Sequence, residues 1–308
     1  MDARAEAEQR LGGRYEVRVL ESSPPASHDP PYFADDPVAR GEGSSGRPVV
    51  SPVATGDLLW IDLAGEDEAL AAWCAERWLG PYPRLGPVPD QLATTRVALH
   101  RLAERVIAPA RQAANGKIGL RYTRGGFGTP FFGANLQIRV SGRELIVQDA
   151  DVENPAPIST LAAAAAHVGL IGADELDDDP LRVDAAASVF LGDWYGFSTS
   201  VLEQLRAGLG ADADPSRVQL WPEHFDLAVE LGAESAGARA AYGASPGDEA
   251  HPEPYLYVAP WEAPEAGPLW QATGFGGAEL PYSTLLAATD QRAVALTFFE
   301  ERLVALGP

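Results

Sequence analysis

The sequence is poor in cysteine, because Cys74 is the only one in 308 residues. A single cysteine excludes an intrachain disulfide, and it also excludes a zinc site built from paired cysteines. Stable disulfides are typical of exported proteins, whereas cytoplasmic proteins keep their thiols reduced. The cysteine content therefore favours a cytoplasmic location.

Long hydrophobic runs are also lacking. The longest apolar stretch, residues 161–173, is too short and too rich in alanine to span a bilayer. Residues 1–10 are polar and mixed in charge, without the apolar centre of a signal peptide. We therefore expect neither a membrane anchor nor an export signal.

Positive charge is scarce, since 23 Lys and Arg residues stand against 44 Asp and Glu residues, a formal net charge of −21. Such a chain repels the phosphates of nucleic acids and of anionic lipids, so neither is expected as a partner. Two readings of the acidity remain open. It can attract a basic protein or a cation, or it can serve only solubility or adaptation to salt.

The order of predicted elements indicates an α+β fold, with an antiparallel or mixed sheet of hairpins and helices mainly on one face. Hydrophobic residues make up 46% of the chain, which is enough for a sizeable core. Residues 1–89 are predicted as an N-terminal extension with a strand, a long Pro- and Gly-rich loop over 21–56 and a helix over 66–79, although they can also belong to the main domain. Residues 90–308 are predicted as that domain.

Specific elements of the main domain follow from periodicity and turn residues. Ser141-Gly142 predicts the turn of an antiparallel hairpin, and Pro109 predicts a kink or an end in the first long helix. Further helices are predicted over 157–171, 184–207 and 290–306. The alternating stretch 217–231 predicts one strand, with 254–260 as its partner.

His224 and Asp226 form the first candidate site. At a spacing of two on a strand, both side chains would point to the same face. A histidine beside a carboxylate can bind a metal or move a proton. The loop 245–253 could complete such a site, and His251 is its candidate third ligand. The alternative is a structural histidine that hydrogen-bonds to Asp226 or to the loop backbone.

Arg121 and Arg124 belong to a glycine-rich stretch, R-Y-T-R-G-G-F-G, on an otherwise acidic chain. Glycine-rich loops can bind phosphate through backbone N–H groups, and two arginines would assist. The stretch matches neither nucleotide-binding motif and precedes a predicted strand instead of a helix. Its two interpretations are an anion site and a hairpin loop.

The pentapeptide 243–247 matches the G-x-S-x-G pattern of a hydrolase nucleophile elbow. The residue after the serine is Pro246, which has no N–H to offer an oxyanion. The elbow also requires a strand before the serine, whereas this segment is predicted as a loop. We therefore interpret it as a turn.

Aromatic residues are concentrated in the second half of the chain. They can line a small-molecule pocket, with Trp221 and Tyr255 as candidate ligand contacts, or they can pack a core between helix and sheet. The set comprises Trp194, Tyr195, Phe197, Trp221, Phe225, Tyr255 and Tyr257.

Several segments over about residues 90–305 resemble, in this order, a family common in actinobacteria that is known only as a domain of unknown function. The segments are A-L-H-R-L-A-E-R-V (98–106), N-G-K-I-G-L-R-Y (115–122), L-W-P-E-H-F-D-L-A-V (220–229), S-P-G-D…E-P-Y-L-Y-V (245–258), E-L-P-Y-S-T-L (279–285) and A-L-T-F-F-E-E-R-L (295–303). The tryptophan- and histidine-rich stretch of that family is replaced here by R-G-G-F-G. The resemblance implies one evolutionary unit and no particular reaction.

Two classes of function follow. The first is binding of a small molecule or a metal near His224, Asp226 and the 245–253 loop, with or without catalysis. The second is a non-enzymatic interaction or regulatory protein that uses its acidic surface. No motif assigns a cofactor, and the residues do not define an oligomeric state.

Overall fold

The computed structural model describes residues 84–307, except 124, 133–135, 150–151, 173–175 and 266, together with four short strands nearer the N-terminus. Those strands are β1 (Arg18–Val19), β2 (Tyr32–Phe33), β3 (Val49–Ser51) and β4 (Leu58–Leu59). Strands β2, β3 and β4 form a small parallel sheet. The helix predicted over 66–79, together with Cys74 and Arg124, lies outside the described residues.

The first large sheet is antiparallel and has the strand order β1-β9-β8-β7-β6-β5. Its further strands are β5 (Arg121–Thr123), β6 (Gly126–Gly128), β7 (Leu136–Ser141), β8 (Glu144–Asp149) and β9 (Val152–Pro157). Ser141 pairs with Glu144 across a turn in which Gly142 has a φ of 57°, so the hairpin predicted at Ser141-Gly142 is confirmed. Glycine suits this left-handed position because it has no Cβ.

The second large sheet is antiparallel with the order β10-β11-β12-β13-β14. Its strands are β10 (Gln219–Trp221), β11 (Asp226–Leu231), β12 (Ala240–Ser245), β13 (Tyr255–Pro260) and β14 (Ala278–Pro281). The single strand predicted over 217–231 is therefore wrong, because a turn divides it. The predicted pairing with 254–260 is also wrong, because β12 lies between β11 and β13.

The two large sheets meet at one antiparallel bridge. The backbone groups of Leu120 and Leu220 exchange two hydrogen bonds, of 2.7 and 2.8 Å. The bridge joins the segment before β5 to β10, and so the second sheet continues from the edge of the first.

The longest helix packs against strands of both sheets. The α-helices within the described residues are α1 (Leu92–Leu102), α2 (Ala108–Asn115), α3 (Leu161–Val168), α4 (Ala185–Ala207), α5 (Tyr282–Ala287) and α6 (Gln291–Leu306). Asp184 caps α4 by accepting the Ala187 N–H at 3.0 Å. A Cβ at Gly192 would lie only 3.0 Å from the Gly126 Cα, so glycine at this position lets the helix approach β6 closely.

The α+β class is confirmed, with antiparallel large sheets and helices against their apolar faces. The predicted helix over 290–306 agrees with α6 to within one residue. Pro109 does not end the first long helix, because a π-helical turn over Ala103–Ile107 precedes it and α2 continues to Asn115. None of the described helices is long and apolar enough to cross a membrane.

Candidate functional site

A cavity of about 720 Å³ lies on the face of the second sheet that is turned away from the core. Along β11 and β13, Leu227 and Val258 point into the core, so Asp226 and Tyr257 point to the opposite face. The cavity walls come from α1, from the turn between β10 and β11, from the start of the β12–β13 loop and from Phe275. Four segments distant in sequence therefore meet around one concave site.

The turn between β10 and β11 places Asp226 at the cavity. Phe225, at the end of this turn, has a φ of 57°, an unusual conformation for a bulky residue, and its N–H donates to the Trp221 carbonyl at 2.7 Å. Its ring is stacked on His100 with 5.2 Å between centroids, and the Tyr195 hydroxyl donates to its carbonyl at 2.8 Å. The surrounding contacts thus hold a strained backbone directly before Asp226.

Asp226 is the most unusual group in the cavity. It is only 7% exposed, and its Oδ2 accepts a hydrogen bond from the Tyr257 hydroxyl. Its Oδ1 is buried and has no hydrogen-bond partner among the described residues. Burial raises the pKa of Asp226, although the Tyr257 hydroxyl and nearby His224 act in the opposite direction. A buried carboxyl oxygen without a hydrogen-bond partner is uncommon in folded proteins.

Tyr257 reaches Asp226 across an intervening strand. Asp226 is on β11 and Tyr257 is on β13, while Gly243 of β12 is the cross-strand neighbour of Tyr257. A Cβ at Gly243 would overlap the Tyr257 ring, so only glycine leaves room for the ring to lie over β12. Burial, with the charge of Asp226, raises the pKa of Tyr257 well above its ordinary value, so the phenol remains a donor.

Arg96 of α1 fixes the loop that forms one wall of the cavity. Its Nη2 donates to the Asp248 carbonyl at 2.9 Å, and its Nη1 lies 3.4 and 3.5 Å from the carbonyls of Pro246 and Pro252. Burial lowers the pKa of Arg96, and the charge of Asp248 acts against this. The guanidinium is thus directed to loop backbone and is shared among three acceptors.

The β12–β13 loop is also held by its own residues. The Asp248 carboxylate accepts the N–H groups of Ala250 and His251, both at 2.7 Å, and lies 3.2 Å from His251 Nδ1. Although burial raises the pKa of Asp248, the hydrogen bonds from the His251 backbone and ring and from Ala250 lower it overall. An ordered wall of this kind keeps the shape of the cavity.

The predicted site residues are only partly brought together. His224, Asp226 and Tyr255 line the cavity, as do residues 245–249 of the predicted loop. His224 is exposed and lies in the turn before β11, so the argument that it shares a strand face with Asp226 is wrong. Trp221 is not among the lining residues.

His251 turns away from the cavity. Its Nε2 lies 3.4 Å from Glu279 Oε1, and the residue lines a separate cavity of about 250 Å³ next to Tyr255. Within the part of the chain that the structure describes, no group of three or more His, Cys, Asp or Glu side chains is arranged to hold a metal ion. The expected set of His224, Asp226 and His251 is therefore not assembled around one point.

Arg121 lies in the first sheet and is only 6% exposed. Its Nε donates to the Tyr122 carbonyl at 2.8 Å, and it does not line the cavity. The glycine-rich stretch forms the β5–β6 hairpin, with Thr123 paired to Gly126. The geometry therefore agrees with the hairpin interpretation of this stretch, while Arg124 lies outside the described residues.

The loop predicted around Ser245 is wrong for this residue, because Ser245 is the last residue of β12. It also lines the cavity. The strand that an elbow requires is therefore present. No helix follows it, since the chain continues through the 246–254 loop into β13. Pro246 still lacks the N–H of an oxyanion hole, and the interpretation as a turn without a nucleophile is kept for that reason.

Sequence reasoning missed two residues that shape the site, Arg96 and Gly243. Nothing in the local sequence around Arg96 indicates contact with a loop some 150 residues away. The position of Gly243 opposite Tyr257 depends on the register of β12 and β13.

The chain matches no family model, no curated protein and no solved structure at a significant level. The resemblance to the domain of unknown function thus stays a prediction, and the geometry of the cavity carries the functional argument.

Proposed function

We propose that the protein binds a small organic molecule in the cavity between α1 and the second sheet, with Asp226 as the central polar contact. One observation carries the proposal. Asp226 lines the cavity, and its buried Oδ1 atom has no hydrogen-bond partner among the described residues. Leaving such an atom without a partner costs free energy, and a ligand with a donor would remove that cost.

The size and lining of the cavity support the same proposal. Its volume of about 720 Å³ falls within the roughly 300 to 1,000 Å³ typical of small-molecule sites. Aromatic side chains, Tyr255, Tyr257 and Phe275, line it beside a few polar groups. Because burial raises the pKa of Asp226, a bound molecule with a labile proton would meet a candidate general acid or base.

A metal is the weaker alternative. His224 and Asp226 line one cavity while His251 contacts Asp248 and Glu279. The hypothesis of a basic protein partner rests on the net charge alone, and it stays a prediction. The cytoplasmic location also stays a prediction.

Ligand-induced thermal stabilisation tests the proposal. The protein, purified without an affinity tag, is screened against a metabolite library and, separately, against Zn²⁺, Mn²⁺ and Mg²⁺. We expect organic hits whose effect is lost in Asp226→Asn and kept in Glu234→Gln, which removes an exposed carboxylate from the turn between β11 and β12, outside the cavity lining. Hits of equal size in wild type and Asp226→Asn would place the binding site elsewhere.

His224→Ala provides a second arm. His224 is exposed at the cavity mouth and acts on Asp226 through charge, so we expect a smaller loss of ligand-induced stabilisation than in Asp226→Asn. A stabilisation by metal ions alone that depends on both His224 and Asp226 would favour the metal alternative instead.

A further inference from the structure

The charges around the cavity indicate which class of ligand fits it. Among the described residues, Arg96 is the one arginine that lines the cavity, and it already donates to the carbonyls of Pro246, Asp248 and Pro252. The lining carboxylates are Glu223, Asp226, Asp248 and Glu249. An anionic ligand would face repulsion here, whereas a cation would face attraction.

Asp226 lacks a cationic partner among the described residues. No Lys or Arg nitrogen of the described part forms an ion pair with it, and its one side-chain hydrogen bond comes from a neutral phenol. A charged donor compensates a buried carboxylate better than a neutral donor does, because the hydrogen bond is charge-assisted. The Oδ1 atom, an acceptor without a partner among the described residues, is therefore suited to an N–H group that carries positive charge.

Three aromatic rings line the same cavity as Asp226. The Tyr257 ring meets Phe275 edge to face with 6.3 Å between centroids, and the centroid of the Tyr255 ring also lies 6.3 Å from that of Tyr257. Aromatic faces attract cations through the ring quadrupole, and they also pack against flat apolar groups. Carboxylates and aromatics together form the chemistry of an organic-cation site.

We propose that the cavity selects a small organic cation, that is, a protonated amine, amidine or guanidine on an aromatic or apolar body, whose N–H donates to Asp226 Oδ1. This assignment rests on the function proposed above and narrows it to one ligand class. A volume of about 720 Å³ is more than a bare ammonium or metal ion fills, so the body of the ligand occupies the remainder.

Binding should be coupled to the protonation of Asp226. The titratable groups that face this carboxyl are Tyr257 from β13, Tyr195 from α4, and His224 and Glu223 from the turn. Burial raises the pKa of Asp226, and a cation at Oδ1 lowers it again. A cation then binds the ionised carboxylate, so its affinity increases as the pH rises through this pKa.

Three probes of nearly equal shape separate the alternatives: benzamidine, benzamide and benzoate, which are cationic, neutral and anionic. Two further cations, 2-phenylethylamine and agmatine, vary the body, and 2-phenylethanol is the neutral match for the first. Titration calorimetry at low salt and pH 8 measures binding to wild type, Asp226→Asn and Glu234→Gln. We expect at least one cation to bind at least tenfold more tightly than its neutral match, with a tenfold or greater loss in Asp226→Asn only.

The outcomes separate this inference from the proposed function. If benzamide or benzoate binds as tightly as benzamidine, or if the cations bind Asp226→Asn unchanged, the assignment of a cation is wrong. If no cation binds while the metabolite screen yields neutral or anionic ligands that depend on Asp226, the assignment is again wrong and the proposed function stands. If neither the probes nor the screen yields a ligand that depends on Asp226, both fail.

Discussion

Glu153 and Asp226 are both buried carboxylates on antiparallel strands, one in each large sheet, and their surroundings differ. Glu153 of β9 is 3% exposed and lies 2.5 Å from Arg139 Nη2 on β7. Asp226 of β11 is 7% exposed, and its one side-chain hydrogen bond comes from the Tyr257 hydroxyl. The charge of Glu153 is therefore compensated within its sheet, whereas Asp226 lines a cavity and has one buried oxygen without a hydrogen-bond partner among the described residues.

This difference separates a structural carboxylate from a candidate functional one. An ion pair between buried groups fixes the neighbouring strands but leaves nothing for a ligand to bind. An uncompensated buried group with a shifted pKa is kept where binding or catalysis requires it. Burial alone would not distinguish Glu153 from Asp226, and their partners do.

Arg139→Leu should have the largest effect on stability. The substitution removes the cationic partner of Glu153 inside the sheet, and the loss of one partner from a buried pair costs about 3 to 5 kcal/mol. Urea denaturation measures the change in the free energy of unfolding. Arg101→Leu is the control, because its pair with Asp177 is exposed and should contribute only about 0.2 to 1 kcal/mol. Equal losses in both variants would contradict a structural role for the buried pair.

Gly243→Ala should have the next largest effect on stability, and it should also change the cavity. The added methyl group would overlap the Tyr257 ring and move its hydroxyl away from Asp226, at a cost of about 1 to 3 kcal/mol for overpacking. We expect ligand affinity to fall together with stability. Gly210→Ala serves as the control, since nothing lies within 4 Å of its added Cβ. A Gly243→Ala protein with unchanged stability and binding would show that Tyr257 does not depend on this glycine.

Sequence periodicity predicts the long elements well and the site only in part. The apolar spacing and terminal turn residues locate α4 and α6, because both helices have one face against the core. Strand β12 escapes prediction, since A-A-Y-G-A-S has few β-branched residues and its small side chains serve close packing. Without β12, neither the position of Ser245 nor the contact over Gly243 can be derived.

Asp226 lines the cavity, although the strand argument that made it a candidate is incorrect. The pattern assumes that His224 continues the strand, whereas Phe225 has a positive φ and ends the turn there. Such a conformation is not expected of phenylalanine, and it exists because His100 and Tyr195, from distant helices, hold the residue in place. Arg121 is buried in a strand and does not line the cavity. The sequence leaves this open, because an arginine beside glycines is consistent with both a binding loop and a buried strand.

Asp226→Asn should stabilise the ligand-free protein against unfolding by about 1 kcal/mol at neutral pH, as replacements of functional residues often do. Burial raises the pKa of Asp226 in the folded state above its unfolded value, so the folded state binds this proton more tightly. The stability of wild type attributable to this group is therefore highest at acid pH, and it is lost as the pH rises through the folded pKa.

Urea denaturation of both proteins across the pH range checks this sign. The advantage of Asp226→Asn over wild type should be small near the ordinary aspartate pKa of about 3.9 and should increase with pH to a plateau. Glu234→Gln, which removes an exposed carboxylate, is measured in parallel as the control. An advantage that decreases with rising pH would mean that the folded protein prefers the ionised carboxylate, and the comparison with Glu153 would lose its basis.

Arg96→Lys should have the smallest effect on stability, because the Arg96 guanidinium donates to backbone carbonyls and not to a carboxylate. A single ammonium cannot reach the carbonyls of Pro246, Asp248 and Pro252 together, so the loop should open more often while global stability falls by no more than about 1 kcal/mol. In the wild type the loop amides of Ala250 and His251 donate to the Asp248 carboxylate. Hydrogen exchange at these two amides should become several-fold faster in Arg96→Lys. Arg84→Lys is the matched control, since Arg84 donates to the carbonyls of Ala288 and Thr289 and does not touch this loop. Unchanged exchange in Arg96→Lys would mean that the loop keeps its shape through Asp248 alone, and the wall of the cavity would then not depend on α1.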